Sequence, residues 1–230
     1  MRLYNNLINK IKSSLCDAKQ IKSNVLLNSS DKNAVIFLSD TAFELGGNNK
    51  PCVSSLAVSS DIVFSNSVYL LGYDLNKIKA DSPFGKFVFI QVEDFKNEQD
   101  TFNKIKELEA LRYHLSVDGF MTRASALNMR EQIRVSKNVV KSGVTFADYG
   151  NTLLQEYLNF PYVKSAEIYF ATDFDDFEKL NSVAKKIGQT TSALNHIFYN
   201  VMFDCSTCNL KEICDEVDGL KELHLKTAKK

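Results

Sequence analysis

Net charge is the first thing this chain lacks: 28 basic residues face 28 acidic ones, with three histidines besides. Such a balance supplies no overall field to draw in nucleic acid or an anionic membrane surface, so neither partner class is expected. Long apolar runs are missing too. The longest, such as Phe87 to Val92 and Val68 to Gly72, are strand-sized, against the ~20 residues that a membrane helix requires. The opening Met1-Arg2-Leu3-Tyr4-Asn5-Asn6-Leu7-Ile8 is broken by polar residues where a secretory signal is continuously apolar, so the expected location is cytoplasmic. Three scattered histidines assemble no nucleophile, base and acid together. No internal repeat or low-complexity stretch occurs.

What the chain does have is material for a core: 230 residues, 44% hydrophobic and 11% aromatic. Leu3, Leu7, Ile8, Ile11 and Leu15 recur at helical spacing, which predicts an amphipathic packing helix within the first 20 residues. Short β-rich runs follow at Ala34–Ser39, Ala42–Leu45, Cys52–Val58, Val68–Leu71 and Lys86–Val92. They are punctuated by Gly46-Gly47-Asn48-Asn49, by Gly72 with Asp74, and by Ser82-Pro83. A helix is expected over 100–114, a strand over 129–135, and a helix from Thr145 to about Phe160, where Pro161 stops it. Val163–Ala171 alternates as a strand does. Asp173 is placed to cap a helix carrying Phe174, Phe177, Leu180, Val183 and Ile187. The pattern predicts an α+β fold with a mixed β-sheet, packed helices and a C-terminal helical tail containing cysteines. The expected division is a packing helix over 1–30, an α+β unit over 31–190 and a metal-motif tail over 191–230.

Three of the five cysteines, Cys205, Cys208 and Cys214, fall within ten residues near the C-terminus. In a reducing compartment such thiols ligate metal rather than form disulfides. The spacing suits either an iron–sulfur cluster or zinc. The fourth ligand is open between His224, Asp215, a small molecule and a cysteine of another chain; with His224 the set is a Cys3His zinc site. A reduced, metal-free trio is the third reading. Cys16 and Cys52 lie on apolar segments and read as buried small hydrophobes. His114 and His196 read as hydrogen-bonded structural histidines.

Several segments in collinear order resemble the middle domain of the acetyl-CoA synthase β subunit of the carbon monoxide dehydrogenase complex. They are Asp40-Thr41-Ala42-Phe43-Glu44-Leu45-Gly46-Gly47-Asn48, Tyr69-Leu70-Leu71-Gly72-Tyr73-Asp74, Gly85-Lys86-Phe87-Val88-Phe89, Arg134-Val135-Ser136-Lys137, Tyr149-Gly150 and Glu167-Ile168-Tyr169-Phe170-Ala171-Thr172-Asp173. The resemblance implies that Cys205 and Cys208 match the first C-x-x-C of the family's nickel- and iron-containing cluster, a 4Fe-4S cube bridged to nickel, with Cys214 near the third cysteine. The family's fourth cube cysteine and the Cys-Gly-Cys pair that holds nickel have no counterpart here, nor do its tryptophans or its large N-terminal domain. The expectation is therefore a stand-alone, truncated paralogue that binds an iron–sulfur cluster without nickel and is incomplete for catalysis. By the same resemblance its partners are carbon monoxide dehydrogenase, a corrinoid protein or a redox protein, and its setting is one-carbon and CO-linked acetyl-CoA metabolism. The alternative, from a different class, is a non-catalytic interaction module held by structural zinc.

The remaining motifs divide between site and scaffold. Arg123, Arg130 and Arg134, with Arg112 nearby, are implied by the resemblance to meet coenzyme A phosphates, for which guanidinium geometry is suited. Surface pairing with Glu109 and Glu131 is the competing reading. Gly46-Gly47-Asn48-Asn49 reads as a turn rather than a phosphate cradle, since no helix and Lys-Ser/Thr follow it. The acids Asp173, Asp175, Asp176 and Glu178 suit a helix N-terminus.

Overall fold

The computed structural model describes residues 2–28, 41–93, 98–125, 130–198, 207–217 and 219–227. The expected Ala34–Ser39 strand and Cys205 lie outside the described residues. Two sheets carry the fold. Strands β1 (Lys19–Ile21), β3 (Cys52–Ser59), β4 (Ser67–Leu71), β5 (Phe84–Val92) and β8 (Val163–Ala171) form a five-stranded sheet in the order β1-β4-β8-β5-β3. Its β3/β5 and β4/β8 pairs are parallel, while β1/β4 and β5/β8 are antiparallel. Strands β2 (Ala42–Leu45), β7 (Arg130–Ser136) and β6 (Phe120–Ser125) form a smaller antiparallel sheet in that order. The mixed sheet with packed helices is the α+β architecture that the pattern predicts.

Alternation along the central strands divides the layers. One face of the five-stranded sheet carries Ser59, Phe89, Glu167 and Tyr169, and meets α1 (Asn5–Ser14) and α5 (Phe177–Phe198). There Ser59 donates to Asn5 Oδ1 at 2.8 Å, and Lys12 reaches Glu167 at 2.7 Å. Leu7, Ile8 and Ile11 are the buried stripe of α1, as their spacing requires, and Tyr4 meets Thr191 of α5 at 2.9 Å. The opposite face meets α4 (Phe146–Leu158), where the Phe146 and Phe170 rings lie 4.9 Å apart. Gly150 lets α4 come this close: a Cβ there would sit 2.5 Å from Val68 Cγ1.

On that same face the small sheet is tied to the large one by a buried ion pair between Lys86 of β5 and Glu131 of β7. The helix α2 (Glu98–His114) flanks both layers, touching α5 through Phe102 and Phe198 with ring centroids 5.8 Å apart. Short helices α3 (Lys137–Lys141), α6 (Lys211–Glu216) and α7 (Leu220–Thr227) and a 3₁₀ turn at Leu75–Lys77 complete the described elements. One buried apolar cluster runs from Tyr4 in the N-terminal segment to Leu220 in α7.

Local signals account for most boundaries. Thr145 caps α4 with a capping box, its hydroxyl accepting from the Asp148 N–H while the Asp148 carboxylate accepts from the Thr145 N–H at 2.8 Å. The expected Asp173 start of α5 moves to Asp176–Phe177, where the Leu180 N–H first reaches the Asp176 carbonyl at 3.1 Å. Phe174 therefore precedes the helix, its ring tilted against that of Phe177 with centroids 6.1 Å apart. The Gly46-to-Asn49 segment is a turn, with Gly46, Asn48 and Asn49 at positive φ. Its Asn48 side chain donates to Asp81 at 2.7 Å.

Candidate metal centre

The C-terminal helices fold back on the end of α5. Leu210, Ile213, Val217 and Leu220 are buried and anchor α6 and α7 to the core. Charged pairs lock the arrangement: Lys186 of α5 holds Glu216 at 2.6 Å, and Lys221 of α7 holds Asp215 at 2.9 Å. Between these elements lies a cavity of about 120 Å³. Ala193, Ile197 and Leu210 give it apolar walls, and into its lining the fold brings Cys208, Cys214, His196 and His224.

Each donor comes from a different local element. Cys208 stands in the turn before α6, where its carbonyl accepts from the Lys211 N–H at 3.2 Å and its sulfur accepts from the Leu210 N–H at 3.4 Å. Cys214 is in α6, with its N–H bonded to the Leu210 carbonyl at 3.1 Å. His224 is on α7 and His196 is in the last turn of α5. Neither cysteine is in a disulfide. Lys211 and Lys221 also line the cavity. Among the described residues, no three His, Cys, Asp or Glu side chains stand close enough together to hold a metal ion. The donor set, two soft sulfurs and two imidazoles, has the chemistry of iron–sulfur or zinc ligation.

The other sequence candidates separate. Asp215 is engaged by Lys221, whose hydrogen bond and charge hold the carboxyl below its ordinary value. Cys52 is buried, as expected, and burial pushes its thiol up despite the nearby Arg130. Cys16 is exposed, contrary to the expectation of burial, because it follows the last buried residue of the helical stripe, Leu15. His114 is exposed at the end of α2. His196, read from the sequence as a structural histidine, stands in the last turn of α5 one residue before the buried Ile197 and lines the cavity.

The arginines converge in part. In the β6–β7–β2 register, Arg123 stands opposite Gln132, and Arg134 opposite both Met121 and Glu44. Alternation puts Arg123, Arg130 and Arg134 on one face of the small sheet. Arg134 is buried there and paired with Glu44 at 3.0 Å. Glu131 turns to the other face and pairs with Lys86, so it is not the arginine partner considered from the sequence.

The fold and its pocket define an α+β protein with a thiol- and imidazole-lined cavity at the end of a long helix. The family model of the CO dehydrogenase/acetyl-CoA synthase complex beta subunit matches residues 33–177, more than half the chain, and the protein belongs to that family. A comparison with curated proteins finds no match. The matched segment runs from before β2 to the first residue of α5, so the cavity donors lie beyond it.

Proposed function

We propose that this chain is a metal-cluster protein of the complex's β-subunit family, with Cys205, Cys208 and Cys214 as thiolate ligands of an iron–sulfur cluster. The observation that carries the reading is the placement of Cys208 and Cys214 on one largely apolar cavity, with a backbone N–H directed at the Cys208 sulfur. When bound, the cluster would supply a one-electron redox centre, and hydrogen bonds to its sulfurs are among the features that set its potential. The chain's own residues do the rest. The Leu210 N–H orients the Cys208 sulfur, the apolar walls would exclude water from a bound cluster, and Lys211 and the Asp215-paired Lys221 line the site. Family membership supports a cytoplasmic role in CO-linked acetyl-CoA metabolism, beside carbon monoxide dehydrogenase, a corrinoid protein or a redox carrier. No step is assigned to nickel.

A coenzyme A contact belongs to the same reading. Arg123, exposed on β6, and Arg130 on β7 share the face on which Arg134 is engaged by Glu44. That leaves the first two as the candidates for phosphate, with Arg134 positioning the strand.

Zinc is the second reading, favoured by the two imidazoles on the cavity wall. Metal and acid-labile sulfide analysis with an absorption spectrum, on protein purified without oxygen, separates the two. Iron with stoichiometric sulfide, lost together in Cys208→Ala, is the expected result; zinc without sulfide makes the site a structural one and overturns the cluster.

A further inference from the structure

A second cluster of titratable side chains lies away from the cysteines, on the face of the large sheet that meets the small one. Lys86 of β5, Glu131 of β7, and Tyr149 and Tyr157 of α4 gather there with Thr122 of β6 and Arg112 of α2 around a cavity of about 10 Å³. Leu111, Leu115 and Leu153 complete its walls. We propose that this cavity is a binding site for one water molecule, held as a fixed part of the fold between Lys86, Glu131 and Tyr157.

The hydrogen-bonding capacity of the cluster carries the inference. The Tyr149 hydroxyl is bonded to Thr122. The Lys86 ammonium has several N–H donors, and among the described residues only Glu131 Oε1 accepts from it. The second oxygen of Glu131 and the Tyr157 hydroxyl have no hydrogen-bond partner among the described residues. Lys86, Glu131 and Tyr157 are 4%, 2% and 2% exposed, so bulk water does not serve them. Polar groups buried without partners are costly, and charged ones most of all. Room and partners are both at hand. A water needs a void of roughly 10–15 Å³ and about two to four polar partners. Here it meets a charged donor, a charged acceptor and a hydroxyl that can act as either. The water would join β5, β7 and α4 where the small sheet rests on the large one. Because β7 carries Arg130 and Arg134 on its other face, the seat of that face depends on how the junction beneath it is filled.

The test uses the full chain, as the wild type, Tyr157→Phe and Lys86→Met/Glu131→Leu. A crystal structure of the wild type should show one ordered water within about 3.2 Å of Lys86 Nζ and of the Tyr157 hydroxyl. In solution, oxygen-17 magnetic relaxation dispersion counts long-lived waters, and it should find one fewer in Lys86→Met/Glu131→Leu. Thermal unfolding of Tyr157→Phe supplies a test of sign. With the water in place the variant loses a hydrogen bond, and its Tm should fall by about 2–4 °C. With the void empty, the same change removes an unsatisfied hydroxyl, and Tm holds or rises. Tyr157→Phe changes the shape of the core very little, which keeps the test decisive if the double variant folds poorly. An empty void in the crystal, an unchanged water count in the double variant, or a Tm no lower in Tyr157→Phe overturns the proposal.

Discussion

Lys86 and Glu131 face each other across the two sheets with side chains only 5% and 2% exposed. Charges so thoroughly desolvated are tolerable only as a pair. Removing one partner is expected to cost about 3–5 kcal/mol, whereas replacing both by well-packed apolar groups is near neutral or stabilising. Urea unfolding should therefore show Glu131→Leu strongly destabilised and Lys86→Met/Glu131→Leu largely restored. A double variant no better than the single one would mean that the pair does more than neutralise itself. A second buried acid behaves differently. Glu109 of α2 is half-buried, and burial raises its pKa against the opposing pull of Arg112 and Lys106. Its ordinary value is 4.5, so in the window above that value the folded state binds the proton more tightly than the unfolded chain. The stability that Glu109 contributes is complete below the window and is lost as pH rises through it. Glu109→Gln should flatten that decline, read as a urea midpoint that changes less between about pH 4 and about pH 7 than the wild type's. An unchanged pH profile would remove Glu109 as its source.

At the scale of elements, α4 shows how much a local signal can specify. Thr145, Asp148 and Pro161 frame it, Phe146, Tyr149, Leu153 and Tyr157 give it a buried face, and the structure follows. Thr145→Ala removes the side-chain half of the capping box and should cost about 1 kcal/mol, which for a chain of this length lowers Tm by roughly 2–4 °C. Thr145→Ser should recover most of the loss. The strands β2, β3, β4, β5, β7 and β8 fall where alternation and turn residues place them, to within a few residues at their ends. β6 and α3 are not visible in that way. β6 alternates only from a buried Phe120 to an exposed Arg123, and it is a strand because β7 lies beside it in register. α3 has five residues, none fully buried; a Ser136 cap starts it and Val139 and Val140 pack on the core, but it is too short for any period to show.

At the scale of the whole molecule, the sheets and the proposed metal centre are different kinds of structure. The five-stranded sheet is covered on both faces, while α6 and α7 hold to it through Leu210, Ile213, Val217 and Leu220. Chelation or Cys208→Ala should therefore speed amide exchange in α6 and α7 and leave β5 and β8 protected. Loss of protection across the sheet would instead make the metal a condition of folding. No helix among the described residues is long and apolar enough to cross a membrane, in keeping with the short apolar runs of the sequence.

What the sequence determined by itself is whatever a short window encodes: the apolar period of α1, the cap of α4, the alternation of the central strands, and the turn at Gly46. The family resemblance was legible for a similar reason, since its segments keep their order along the chain, and residues 33–177 match. The tertiary structure alone decided the order β1-β4-β8-β5-β3, the pairing of Glu131 with Lys86, the engagement of Arg134 by Glu44, and the arrival of His196 on the cavity that Cys208 and Cys214 also line. Each depends on which distant surfaces are buried together. Desolvation rewards a charge or a ligand only when its partner is already in place, and no local period records where that partner will come from.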